Sequence, residues 1–254
     1  MQWQQIIIET TCVYIAAMVW QRRWTLFMRI EHAQITERTI TLSMVLQLTT
    51  LLLRTPLGHD TVGSLLRAAT GQWNLNIWAS DCCCLSAVAV IGVNIASRLN
   101  ISIRALRAGF RAHFELPMTI VAPVLLALIV KAPSADLQSN GAMFDVPDHW
   151  LHTYWTVFCG YLAYLLYVAC RALLIIRTDE RNRSTANIYL AALIPAIIIC
   201  GLRVITVWFN VNCEQWFCLG GCAIAAAISY AAGRSWRQKI RWLATPPPAK
   251  DGRQ

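Results

Sequence analysis

The sequence predicts an all-α fold: a polytopic integral membrane protein with a seven-helix transmembrane bundle, its N-terminus outside and its C-terminus cytoplasmic. Three observations predict it. Of 254 residues, 57% are hydrophobic and only 14% charged, with a mean hydropathy of +0.47; apolar runs alternate with short polar breaks; and Lys and Arg collect in every second break. A soluble domain carries roughly 25% charged residues, whereas a helix needs roughly 20 mainly apolar residues to cross about 30 Å of hydrocarbon. Such runs fill the chain and leave no room for a separate soluble catalytic domain.

The runs fall at 6–20, 40–53, 75–96, 118–130, 151–176, 188–209 and 216–232. The first lacks a basic leader and a small-residue cleavage site and is interrupted by Glu9, so it reads as a span rather than a signal peptide. The second and fourth are short. They can span if Thr39, Arg54, Pro117 and Lys131 reach the interfaces, or if the bilayer thins around them. Between the second and third runs, Pro56, Gly58 and Gly71 flank a short apolar stretch that predicts a surface helix capped by Asp60. The segment 133–149 is polar, with Gly141 and Pro147, and predicts an irregular outer loop.

Orientation follows from the basic residues, because positive loops near spans stay cytoplasmic. The breaks after the first, third and fifth runs hold Arg22, Arg23, Arg29 and Arg38, then Arg98, Arg104, Arg107 and Arg111, then Arg177, Arg181 and Arg183. The tail adds Arg234, Arg237, Lys239, Arg241, Lys250 and Arg253. The opposite side offers Arg54, Arg67 and Lys131. Losing one weak span would put strongly basic loops on both sides, so the pattern favours all seven. Residues 1–233 read as the membrane domain and 234–254 as a basic cytoplasmic tail, in a plasma (cell inner) membrane. The net charge of +9 is thereby a topology signal and not a sign of nucleic acid.

Charges within spans are the first functional candidates, since each costs at least about 2.5 to 3.5 kcal/mol in hydrocarbon unless paired or wetted. Glu9, Arg54, Asp81 and Arg203 all fall within one or two turns of the outer face. Ser43, Gln47, Thr50 and Arg54 share a helical stripe, as do Cys200, Arg203, Thr206 and Asn210, and both stripes should face the bundle interior. Two readings stand: a polar cavity open to the outside that binds a small solute, ion or ligand, or a structural clip in which an arginine–carboxylate pair ties helices together or the charges snorkel to the interface.

A second cluster, Asp145, Asp148, His149 and His152, sits in DVPDHWLH at the start of the fifth run. Two histidines one turn apart with a carboxylate can hold a divalent metal or sense protons. Alternatively, Asp148 caps the helix and the histidines join Trp150 in an aromatic belt. No cofactor is expected. The ten cysteines lie mostly in apolar runs and predict buried free thiols, including the Cys82–Cys84 triplet, which helical geometry spreads over different faces.

On the cytoplasmic side, Ile103, Leu106, Phe110 and Phe114 form a stripe beside Arg104, Arg107 and Arg111, which predicts an interfacial amphipathic helix; Arg237, Lys239 and Arg241 repeat the device in the tail. Anionic lipid headgroups are the expected partner, with a protein partner as the other reading. Gly221, Ala225 and Ser229 give the last span a small-residue face for close helix packing. No lysine lies in the seventh run to carry a retinal Schiff base, and no nucleophile–base motif is present, so an enzyme is not expected.

The string LPMTIVAPVLLALIV at 116–130, following the arginine-rich loop, resembles actinobacterial seven-helix membrane proteins catalogued as transporters. The resemblance covers the middle of the chain. It implies a seven-helix fold and a transport role and carries no functional residue over. Two functions follow as expectations: a binding or transport bundle with an outward-facing polar cavity, or a non-transporting interaction protein (a sensor, assembly factor or mobile-element exclusion protein) acting through its basic cytoplasmic face.

Overall fold

A computed structural model describes residues 2–27, 33–99, 101–132, 148–211 and 213–244. Among them every regular element is helical: α1 (Gln2–Phe27), α2 (Ala33–Leu53), a short α3 (Pro56–Thr70), α4 (Leu75–Ala96), α5 (Ile103–Lys131), α6 (His149–Ile176), α7 (Glu180–Trp208) and α8 (Glu214–Ala244). Each of the seven apolar runs lies on one long helix. By length and apolarity, α4, α5, α6, α7 and α8 are each suited to crossing a membrane, and the bent pair α2 and α3 raises the number to six. Helix α1, about 39 Å long at 1.5 Å per residue, falls short in apolarity because Gln4, Gln5, Glu9, Gln21, Arg22 and Arg23 dilute it.

The long helices close into a ring, α1–α2–α4–α6–α7–α8 and back to α1, while α5 packs outside it on α6 and more lightly on α4. A large apolar core centred on Leu85, Leu125, Ile129 and Leu193 joins α4 to α7. A smaller one, around Ile15, Ile40, Met44 and Ala232, joins α1, α2 and α8. Outward surfaces carry Ile120, Ile198, Leu202 and Ile205, as a face bathed in lipid requires.

Two amphipathic stretches differ from expectation. Residues 103–114 are not a separate interfacial helix: they are the amino-terminal turns of α5, continuous through a π-turn at Arg111–Glu115. This supplies the length that the short fourth run lacks. Likewise α8 runs unbroken across the expected boundary at 233, so the first part of the basic tail is helix.

The surface helix after α2 is present, but Thr55 caps it and Asp60 does not. The Thr55 hydroxyl accepts from the Gly58 amide at 3.2 Å, Pro56 takes the first helical position, and Asp60 lies within the π-turn His59–Gly63. The chain bends by 82° between α2 and α3. Gly58 makes the corner possible, since a Cβ there would meet the Leu52 carbonyl and lie 2.7 Å from the Leu53 Cα. The carbonyl of Leu53, left over at the end of α2, accepts from Asn76 Nδ2 at 2.9 Å.

Candidate functional site

The corner between α2 and α3 sets Arg54 beside α4. There Arg54 Nη2 pairs with Asp81 Oδ1 and its Nε donates to Ser80 Oγ at 3.0 Å; Ser80 Oγ in turn donates to the Thr50 carbonyl at 2.9 Å. The other oxygen of Asp81 accepts from the Tyr154 hydroxyl of α6 at 2.6 Å. Asp81 and Tyr154 are fully buried, whereas the Arg54 side chain is 38% exposed. A buried carboxylate held by two charge-assisted bonds from two other helices is satisfied on both oxygens, and its arginine is the part that remains in reach of the surface.

Arg203 of α7, buried, joins the cluster over an aromatic ring. Its guanidinium carbon lies 4.5 Å from the Trp155 ring centre and 5.0 Å from that of Phe217 on α8, while Arg54 approaches the same tryptophan at 5.8 Å. Such contacts are worth about 0.5–1 kcal/mol each at exposed sites and about 2 or more when desolvated. Five helices, α2, α4, α6, α7 and α8, thus contribute to one cluster of two arginines, one carboxylate and aromatic rings.

The structure brings together three of the four expected members. Glu9 is the exception: it is exposed and accepts from Gln5 Nε2 at 2.8 Å on its own helix. Tyr154, Trp155, Ser80 and Phe217 are members the sequence reading missed. Tyr154 and Trp155 carry no formal charge and sit in an aromatic-rich segment, so nothing distinguished them from packing residues. The inward stripe on α2 is present, with Ser43 and Gln47 buried and Thr50 half-buried.

In the second cluster, Asp145 lies outside the described residues. Asp148 is buried and caps α6, accepting from the Trp150 amide at 2.9 Å. His149 stacks on Trp150 with centroids 4.8 Å apart, and His152 faces Trp208 at 5.7 Å, so the two rings serve different aromatic partners. Among the described residues, no group of three His, Cys, Asp or Glu side chains is placed to hold a metal ion. All ten cysteines are free thiols.

Arg104, Arg107, Arg111 and Arg237 are exposed; the side chains of Lys239 and Arg241 lie outside the description. Of the expected small-residue face of α8, Ser229 is fully buried and Ala225 packs on the core shared with α1 and α2, but Gly221 makes no close approach. A Cβ on Gly221 would meet open space, whereas one on Gly220 would lie 2.6 Å from Ile199 Cδ1 of α7, so Gly220 is where the helices approach closely.

Fold and site define, among the described residues, an all-helical chain with five to six helices suited to crossing a membrane and an ion pair whose carboxylate is buried. No protein family, curated protein or solved structure matches the chain.

Proposed function

We propose that this protein is a seven-span bundle of the plasma membrane, N-terminus outside and C-terminus cytoplasmic, that binds or transports a small anionic solute at the Arg54–Asp81–Arg203 cluster, without enzymatic activity. The observation that carries this reading is the asymmetry of the ion pair: Asp81 is wholly buried and Arg54 is 38% exposed. An ion pair inside a membrane protein is costly to desolvate and marks a functional position by default. An anion arriving from outside finds Arg54 first and competes with Asp81 for it; Arg203, held on Trp155, supplies a second cation a short way in. The seven-span count rests on the agreement of seven long helices with seven apolar runs, and the orientation on the alternation of arginine-rich breaks.

Thermal unfolding of the purified chain in detergent against a panel of small carboxylates, phosphate and sulfate tests this. A ligand of the cluster raises the melting temperature of the wild type and not that of Arg54→Gln. If no anion acts on the wild type, and Asp81→Asn restores the stability that Arg54→Gln alone loses, the pair is a clip between helices and the binding role fails. The interaction-protein reading draws on the exposure of Arg104, Arg107 and Arg111 along one side of α5. It predicts that neutralising all three abolishes pull-down of a membrane partner while anion-dependent stability is unchanged.

A further inference from the structure

Where α1, α2 and α8 meet, the apolar cluster of Ile15, Ile40, Met44 and Ala232 has Leu51 and Ala225 packed on it. Two polar side chains lie on the same helix faces. Gln47 falls between Met44 and Leu51 on α2, three and four residues away, and Ser229 falls between Ala225 and Ala232 on α8, four and three residues away. Helices α2 and α8 touch directly at this junction. Gln47 also continues the stripe of Thr50 and Arg54, seven residues before Arg54 and so about 10 Å from it along the helix.

Gln47 is 8% exposed and Ser229 0%, and neither Gln47 Oε1 nor Ser229 Oγ has a hydrogen-bond partner among the described residues. The neighbouring hydroxyls of α2 behave otherwise. Ser43, Thr49 and Thr50 donate to the carbonyls of Ile40, Val45 and Leu46 on their own helix, at 2.8, 3.0 and 2.9 Å. A serine within a helix has the same recourse to the carbonyl four residues back, and Ser229 does not take it. Buried polar groups without a partner in the protein are costly and are characteristically held by internal water. The amide oxygen needs a donor, while the hydroxyl can donate or accept, a combination that one small neutral molecule of water meets. The α8 side of the junction, Ala225, Ser229 and Ala232, consists of small side chains.

We infer that Gln47 and Ser229 hold internal water at the junction of α1, α2 and α8, a hydrated site within an otherwise apolar seam. Helices α2 and α4 are joined by direct bonds, from Ser80 Oγ to the Thr50 carbonyl and from Asn76 Nδ2 to the Leu53 carbonyl. Helices α2 and α8 are joined here through an exchangeable molecule instead. The site stands apart from the Arg54–Asp81–Arg203 cluster and does not depend on anion binding there.

The test uses the full chain in detergent micelles, exposed to short X-ray pulses. Radicals formed from water in place oxidise the side chains beside it, and Met44, one turn from Gln47 and fully buried, is out of reach of radicals formed in bulk solvent. Peptide mass spectrometry of the wild type shows Met44 oxidised. Gln47→Leu with Ser229→Ala loses that label, while Met118, partly buried beside the larger core, is labelled equally in both proteins. An unlabelled Met44 in the wild type means a dry junction and overturns the proposal. A label that the double variant retains means that water reaches Met44 by another way, and overturns the assignment to these two residues. Should the double variant not fold, Ser229→Ala alone, which removes one oxygen atom, decides by SDS titration: a lowered midpoint supports a hydroxyl satisfied by water, and an unchanged or raised midpoint overturns it.

Discussion

Replacing Tyr154 by Phe removes one oxygen atom and nothing else, which makes it the sharpest probe of the cluster. Tyr154 is fully buried and its hydroxyl donates to Asp81 Oδ2 at 2.6 Å. Phenylalanine fills the same space, so no cavity opens, and the cost is that of a carboxylate oxygen stripped of its donor. In soluble proteins a hydrogen bond to a charged group is worth about 1.5–3 kcal/mol. Between membrane helices, where the unfolded reference also finds partners, the average is about 0.6 and the maximum about 1.7 kcal/mol. Burial and charge place this bond at the upper end of the membrane range, so the expected loss is about 1.5 kcal/mol. Arg54→Gln should cost more, because it leaves the fully buried Asp81 carboxylate without its counter-charge. Unfolding of the purified protein by SDS titration in micelles measures both, and a double-mutant cycle of Tyr154→Phe with Asp81→Asn isolates the coupling. A coupling of about 1 kcal/mol is expected; strict additivity, or a Tyr154→Phe loss below about 0.5 kcal/mol, would refute the view that this bond secures the carboxylate.

Gly58→Ala forces a methyl group against the backbone of Leu52 and Leu53 and should cost at least about 1 kcal/mol, seen as a lowered midpoint in the same titration. Thr55→Ala removes the cap of α3 and should cost about 1 kcal/mol, with no effect on the Arg54–Asp81 pair. Arg203→Lys keeps the charge but loses the flat guanidinium over Trp155 and Phe217; the intrinsic fluorescence of the protein should change, and stability should fall more than for Lys131→Gln. For topology, alkaline phosphatase fused after Gln72 should be active and fused after Leu99 or Thr178 inactive. An N-terminal tag should resist protease in inside-out vesicles; a tag that is cleaved there would remove α1 from the count of spans.

The positions of the long helices were readable because apolar runs report directly on which backbone segments the bilayer tolerates. What hydropathy misses is continuity: residues 103–114 alternate apolar and basic, so they look like a separate element, although their backbone joins α5 without a break. That Arg54, Asp81 and Arg203 share one level of the bundle was readable too, since level follows from counting residues inward from a loop. Azimuth was only partly so. Arg54, Asp81 and Arg203 meet, while Glu9 sits well off the stripe of Thr11, Cys12, Ile15 and Arg22 that α1 buries. A single charge on a helix with polar residues all round gives no sign of which way it points. Tyr154 and Trp155 escaped for a related reason, as their roles depend on where Asp81 and two arginines arrive from other helices.

The first and last helices are neighbours, and that has a bearing on how the molecule is made. The buried side chain of Arg22 donates from Nη1 to the carbonyl of Ala232 at 3.1 Å, a contact between residues 210 apart in the chain. A ribosome feeding the membrane from the amino end delivers α1 long before α8 exists. Until then α1 has α2 on one side and lipid on the other, and the contact from Arg22 to Ala232 is not yet made. Insertion of the final helix is therefore the step that seals the structure, and nascent chains arrested before it should be the species that quality-control proteases recognise.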